Sequence, residues 1–500
     1  MRVDSVTRLL CLLMLTQRTA SYMPGLVGRR GAVPLRRASK IAAKAAAAPP
    51  KYITDDVGNN VTPYIENLVG RGLHRAEAHP LGIIKAKIEE YFQGLDGPAF
   101  EIVDDLDPLV QAQACFDDLL IPKDHPGRLP SDTYYVSRPG GREVSASTDV
   151  LLRTHTSAHQ SQLLRDGKEA FLCTGDVYRR DEIDASHFPA FHQMEGVKLF
   201  PPADVGGAMT REEWLASPGC ELIAKDLKKT LEGLCDHLFG DCEKRWIDEC
   251  AAGVARANAA LLRPICHTSF ATTSTTTASR YFPFTEPSFE LEIYYNGDWM
   301  EVLGCGVIHS GVLENVGLSD RHGWAFGLGL ERLAMVLFSI PDVCAQFGRH
   351  SAQLLRATTR RARAIRRGPP AHVRVHTSPS SQIRLFWTDD TRFSKQFKPG
   401  QLTTFKPYSK YPPCFKDIAF WIPDGFEPND FFELGRAVAG ELVEKVDLID
   451  EFTNPKKAKT SHCYRITYRS MDRSLTDDEV NKMQEDLRER AANELAVELR

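Results

Sequence analysis

No stretch of this 500-residue sequence reaches the roughly 18 continuous apolar residues that a membrane-spanning helix needs. Its twelve cysteines include no Cys-x-x-Cys. The tightest group, Cys235, Cys242 and Cys250, is spaced too widely for the usual zinc ligand sets, so reduced intracellular thiols are the expectation. There is no large excess of either charge, since the net is −4. That small figure hides an asymmetry: residues 1–50 carry +8 and the remaining 450 carry −12. An acidic body excludes indiscriminate nucleic-acid binding through bulk charge, so any RNA contact must be a local patch. Acidic residues are missing altogether from 251–280 and from 343–382. Both stretches are expected to be disordered loops, or unspliced segments absent from the mature protein. A basic RNA-binding arm is the alternative for the second, with Arg360, Arg361, Arg363, Arg366 and Arg367.

What is present begins with an address label. A short apolar core, Leu9 to Leu15, follows Arg2 and Arg8. An Arg-, Ala- and Ser-rich, acid-poor stretch then runs to Pro49-Pro50, so residues 1–50 read as a targeting presequence. A disordered tail is the bland alternative. Globular patterning starts near Asn59. Helices are predicted over 81–95 and over 221–239, the second with Leu222, Leu227, Leu231, Leu234 and Leu238 on one face. Strands are predicted across 289–308 around the hairpin signal Asn296-Gly297, and 326–340 turns from glycines into a helix. From about 405 the order is strand, helix, strand, strand, helix, strand, the ferredoxin-like arrangement. Its first helix, 429–442, carries Phe431, Leu434, Val438 and Leu442 on one face.

Two segments carry chemistry. The first is Gly175-Asp-Val-Tyr-Arg-Arg-Asp-Glu-Ile-Asp-Ala-Ser-His187-Phe-Pro-Ala-Phe-His-Gln193-Met-Glu195-Gly, two strands joined by a polar loop that can cradle a nucleotide. The second is Phe326-Gly-Leu-Gly-Leu-Glu-Arg332, a glycine-bearing strand running into a helix. Arginines from two elements suit a triphosphate, because guanidinium forks grip phosphate oxygens and keep their charge.

These segments resemble motifs 2 and 3 of class II aminoacyl-tRNA synthetases, and Phe116 to Arg128 resembles motif 1 of the phenylalanine-specific branch. His155-Thr-Ser-Ala-His-Gln160 and Tyr281-Phe-Pro-Phe284-Thr-Glu286-Pro are similar to strings of that branch. Tyr408-Ser-Lys-Tyr411-Pro and Ser461 to Arg469 resemble its organellar anticodon-binding domain. The resemblance implies an α+β protein. A class II antiparallel-sheet catalytic domain would occupy 59–404, with low-order inserts at 251–280 and 343–382, and a ferredoxin-like anticodon-binding domain 405–500.

It also implies roles. Arg179 would hold the α-phosphate and the amino acid carboxylate, and Arg332 would face the γ-phosphate. Phe191 would stack on adenine, with Ser186, His187 and Phe188 in the loop over the phosphates. Glu301 would stand near ATP and hold Mg²⁺. His155, Ser157, Ala158, His159, Gln160, Gln193, Met194 and Glu195 would surround the amino acid's charged head. Phe282, Phe284, Ala325 and Phe326 would build the side-chain pocket. Lys456, Lys457, Arg465 and Arg469 are candidate tRNA contacts. Asp181 departs from the family, which usually has Glu there. The implied substrates are phenylalanine, ATP and tRNA-Phe, handled by a monomer of the mitochondrial matrix and/or plastid stroma. A catalytically inactive tRNA-binding relative is the rival reading, motivated by the inserts.

Overall fold

The computed structural model describes residues 52–140, 145–184, 187–206, 209–249, 282–295, 298–340, 383–408, 411–455 and 459–500. The presequence and both inserts therefore lie outside the described residues. After β1 (Glu101–Val103), three short strands, β2 (Leu109–Gln111), β3 (Tyr135–Ser137) and β4 (Val150–Leu152), form a small sheet in the order β2-β4-β3. Then follow β5 (Ala170–Tyr178), β6 (Ala190–Phe200), β7 (Lys244–Glu249), β8 (Thr285–Tyr295), β9 (Asp298–Ile308) and β10 (His322–Gly329). With β1 they make a seven-stranded sheet, β1-β5-β6-β10-β9-β8-β7. Only β1 on β5 runs parallel, so the sheet is mixed rather than wholly antiparallel.

Helices cover one face of this sheet. The first, α1 (Pro80–Gln93), starts where sequence logic expects: His79 caps it by accepting from Leu81 N at 3.3 Å, and Pro80 opens it at a position where its missing N–H would have had no helical partner. Its apolar stripe, Ile84, Ile88 and Phe92, is buried. The second, α2 (Pro218–Phe239), is capped by Ser217 and buries Ile223, Leu227, Leu231, Leu234 and Leu238. Leu222, predicted on that stripe, is 45% exposed; Ile223 takes its place because the buried row runs 223, 227, 231. The third, α3 (Leu330–Leu337), continues directly from β10.

The C-terminal region contains β11 (Cys414–Trp421), α4 (Pro428–Ala439), β12 (Val443–Asn454), β13 (Lys459–Tyr468), α5 (Asp477–Glu494) and β14 (Glu498–Leu499). Its sheet order is β12-β13-β11-β14, all antiparallel. Phe431 and Leu434 of α4 bury against Ile418, Phe420, Tyr464 and Ile466. The helix ends earlier than predicted, at Ala439, where Gly440 takes a φ of 53°. Thr476 and Glu479 form a reciprocal capping box that fixes where α5 begins. One residue from outside this region, Ile183, belongs to the same apolar cluster.

On the helix-covered face of the large sheet, Phe326 stacks on Phe92 at 5.4 Å and lies across Gly196. A Cβ at Gly196 would stand 2.1 Å from the Phe326 ring. Gly196→Ala should therefore destabilise the fold by about 1–3 kcal/mol through overpacking. The measurement is urea unfolding, and an unshifted midpoint would mean that the ring is free to move aside.

Candidate active site

The face of the sheet away from the helices carries the cleft, and strand alternation decides what enters it. Along β6, Met194 is buried in the cluster shared with the helices, so Gln193 and Glu195 point the other way. Cross-strand register then aligns Glu195 with Gly327 on β10, Gly327 with Gly304 on β9, and Gly304 with Glu290 on β8. This row holds two glycines between two carboxylates. A Cβ at Gly327 would meet nothing within 4 Å, whereas one at Gly304 would stand 2.8 Å from the Phe282 ring. Missing side chains thus make a recess, and Phe282 packs down onto its edge with Phe284 at 5.9 Å.

The resulting cleft has a volume of about 660 Å³. His155, Ser157, Arg179, Gln193, Glu195, Phe282, Phe284, Glu301, Ala325 and Phe326 all border it. Phe326 does so without its ring, which lies on the opposite face against Phe92. The expectation that this ring builds the pocket is thereby corrected: alternation along β10 sends Ala325 and Gly327 to the cleft and residue 326 to the core.

Charge in the cleft is arranged unevenly. Burial pushes the Glu195 carboxyl up to about 8, against a lowering hydrogen bond from Ser157. Its Oε2 and the Gln193 Oε1 are both buried without a hydrogen-bond partner. Burial, then the nearby Arg179 charge, pushes His155 down to about 3, so this imidazole is neutral. Arg179 donates Nε–H to the Thr154 carbonyl at 2.8 Å, and its guanidinium lies 5.1 Å over the Phe191 ring. Arg332, on the first turn of α3, stands 3.5 Å from the Glu301 carboxylate; both are partly open to solvent.

Behind the cleft wall, buried polar groups hold these elements together. Arg153 pairs with Asp176 at 2.7 Å and also donates Nε–H to the Asp176 carbonyl at 2.7 Å. It occupies the space above Gly175, where a Cβ would come within 2.0 Å of Nη2. His159 receives the other arm of Arg153 at 2.8 Å, and burial followed by that charge lowers its pKa to about 4. Ala158, His159 and Gln160 are therefore buried supports and none of them borders the cleft. Glu331 ties α3 to β6, accepting from the backbone N–H of His192 at 2.8 Å and facing its Nδ1 at 2.8 Å.

Other expected residues stand apart. Ser186, Lys456 and Lys457 lie outside the described residues. His187 and Phe188 border a separate small crevice together with Arg384, Arg436 and Glu444. The His187 imidazole, 2.8 Å from Asp184, is raised to about 9 chiefly by that hydrogen bond, which makes it a cation at neutral pH. Arg465 is held bidentately by Asp417 at 2.8 Å on a half-exposed surface. Arg469 faces the buried Glu444 at 2.7 Å and is itself only 11% exposed, which removes it from the open surface expected of an RNA contact.

Two family models match the chain. The class II core domain of tRNA synthetases (F) matches residues 65–201 and 237–357, and the ferredoxin-fold anticodon binding domain matches residues 409–500. The chain is 44% identical to the chloroplastic/mitochondrial phenylalanine–tRNA ligase of Arabidopsis thaliana, over 96% of this chain and 92% of that one. It is 41% identical to the mitochondrial ligase of Dictyostelium discoideum, over 88% and 89%. With that of Mus musculus it shares 40% over 90% and 87%. The chain belongs to the class II phenylalanyl-tRNA synthetases. Its fold follows, as expected from the motifs: a class II core and a ferredoxin-fold anticodon-binding domain.

The motif reading missed Gly304, Gly327, the Arg153–Asp176 pair, and Asn429, which borders the cleft from α4. The glycines had a signal: Gly304-Cys-Gly306 and Gly327-Leu-Gly329 repeat with the strand period, so each pair clears one face. Asn429 had none.

Burial alone would raise the Asp176 carboxyl; the Arg153 charge overrides it and holds the group at about 2. Because that pKa lies below its ordinary value, the pair stabilises the fold above about pH 4 and loses its effect as pH falls toward 2. Asp176→Asn should cost about 3–5 kcal/mol at neutral pH, since it strands a buried guanidinium. Chemical unfolding tests this, and a cost below about 1 kcal/mol would mean that water reaches Arg153.

Proposed function

We propose that the chain acts as a phenylalanine–tRNA ligase in which Arg179, Glu195 and the aromatic recess form the synthetic site. The observation that carries this is their convergence on one cleft. A buried carboxyl group with one oxygen unpartnered stands at one end, a glycine floor walled by Phe282 and Phe284 in the middle, and a fixed guanidinium beside them. An α-amino acid with a flat apolar side chain matches that sequence of groups. Its ammonium answers Glu195 and Gln193, its ring enters over Gly304 and Gly327, and its carboxylate reaches Arg179.

The first step needs positioning more than proton transfer. A carboxylate oxygen of phenylalanine attacks the α-phosphorus of ATP, the bond to the β-phosphate oxygen breaks, and pyrophosphate leaves. Arg179 neutralises the charge that builds between the two anions. Neutral His155 next to it adds polarity without a competing cation. Phe191, already under the Arg179 guanidinium, is the surface on which adenine would stack. Arg332, beside Glu301 on the cleft rim, is the group for the outer phosphates. Glu301 offers a hard oxygen donor on the cleft rim, which fits Mg²⁺. When bound, the ion would offset triphosphate charge. The phenylalanyl group then passes to the terminal ribose hydroxyl of tRNA-Phe, and AMP leaves.

Both domains reside on one chain, which supports a monomer. The names of the relatives and the basic N-terminal stretch support action in mitochondria or plastids. Among the described residues no helix is long and apolar enough to cross a membrane. The inactive reading gains no support, since the relatives matched over most of this chain are named phenylalanine–tRNA ligases.

ATP–pyrophosphate exchange with phenylalanine tests the reading directly. Arg179→Ala and Arg332→Ala should each lower exchange by on the order of 10²-fold or more while the protein stays folded. Undiminished exchange in Arg179→Ala would refute its role.

Glu195 supplies a second test. Binding an ammonium requires the carboxylate, so below its free-site pKa of about 8 each binding event must release a proton. The KM for phenylalanine should therefore rise by about tenfold per pH unit as pH falls below 8. In Glu195→Gln the KM should be high and flat with pH. A flat profile in the wild type would mean that Glu195 does not meet the ammonium.

A further inference from the structure

The chain leaves Arg179 along residues 180–183, and four consecutive carbonyls of that segment accept hydrogen bonds from the C-terminal domain. Asn429 Nδ2 donates to the Arg180 carbonyl at 3.0 Å. Arg436 Nη2 donates to the carbonyls of Asp181 and Glu182, the latter at 2.8 Å. Val446 N–H donates to the Ile183 carbonyl at 2.9 Å. Side chains repeat the pattern, with Arg180 paired to Asp430 at 2.9 Å and Ile183 buried in the C-terminal core.

The donors are themselves held in place. Glu433 accepts from Arg436 at 3.1 Å, from the Tyr134 hydroxyl at 2.8 Å and from Thr62 at 2.9 Å. All three of Glu433, Arg436 and Tyr134 are buried. Asn429 also reaches the Ser131 carbonyl at 3.0 Å and Asp132 at 3.1 Å, so it joins the β5 exit to the loop before β3. Among the described residues it borders the substrate cleft from the first turn of α4. Four adjacent carbonyls satisfied in register leave the backbone after Arg179 little freedom to shift.

We propose that Asn429 and Arg436 are positioning residues for amino acid activation: the anticodon-binding domain templates the loop that aims Arg179, before any tRNA is bound. The proposal rests on the assignment of Arg179 to the reacting carboxylate and α-phosphate. It makes the second domain a working part of the first half-reaction, in addition to its contact with RNA. Small displacements of a group that orients reactants are costly, so loss of one donor reads out as rate.

The test is exchange without tRNA on the full-length enzyme, comparing wild type with Asn429→Ala, Asn429→Asp and Arg436→Gln. Phe415→Ser, at an exposed site of the same domain, serves as reference. Asn429→Asp keeps the size of the side chain but cannot donate. The expected result is a fall in kcat on the order of tenfold in the first three variants. The KM for phenylalanine should stay within about twofold, because Glu195 and the recess are built on other strands. The cooperative thermal transition should be retained in both Asn429 variants, and Phe415→Ser should match wild type. Wild-type exchange in Asn429→Asp overturns the proposal. So does a loss of rate that appears only together with a loss of the thermal transition. A wild-type enzyme with no exchange at all instead sinks the functional reading on which the proposal rests.

Discussion

The pairing of β6 with β10 is the constraint from which the site follows. Its eight-residue register, from His322 opposite Phe200 to Gly329 opposite Gln193, fixes which side chains share a row. Because side chains alternate, a slip of one residue would exchange the two faces. Phe326 would then enter the cleft, and Gly327 would leave a hole against Phe92. Glu195 would lie beside a ring instead of an open floor. The register is pinned from the core side, where Phe326 covers Gly196 and stacks on Phe92. Substrate space on one face is therefore guaranteed by close packing on the other.

The same alternation separates the electrostatic problems. Polar contacts that need permanence, the Arg153–Asp176 ion pair and the hydrogen bonds of Glu331 with His192, are buried on the support side. The groups proposed to meet a substrate are left incompletely satisfied. Glu195 and Gln193 retain buried oxygens without partners. Unsatisfied buried polar atoms cost free energy in the unbound protein, so their presence in a cleft is compensated when a ligand supplies the missing donors. A neutral His155 beside Arg179 follows the same logic, since a second buried cation there would only repel the first.

How much of this was legible depends on the range of the interaction. The helices over 81–95 and 221–239 and the C-terminal order of strands and helices were readable because their periodicity and caps are local. His79, Ser217 and Thr476 each mark a helix start by a contact within three residues. The convergence of Arg179, Glu195 and Phe282 was readable only through the resemblance of whole motifs, since no local rule brings separate strands together. Two misjudgements had physical causes. The resemblance implies Phe326 together with Ala325 as pocket residues, although neighbours on a strand face opposite ways. Arg469 was assigned by charge, although a buried carboxylate, Glu444, stood ready to pair with it.

The contact between Asn429 and the Arg180 carbonyl spans 249 positions and involves a backbone atom, which leaves no mark in residue identity. An asparagine in the first turn of a helix ordinarily reads as a local cap. Here its donor faces outward, to carbonyls that β5 leaves exposed because the strand stops at Tyr178. Those carbonyls require partners once buried, and among the described residues β5 pairs with β6 only as far as Tyr178 opposite Ala190. The C-terminal domain does so with one asparagine, one arginine and one strand N–H. Satisfying the backbone of an active-site loop thus becomes the reason the two domains share an interface there. It also ties the geometry of Arg179 to residues of the ferredoxin-fold anticodon-binding domain.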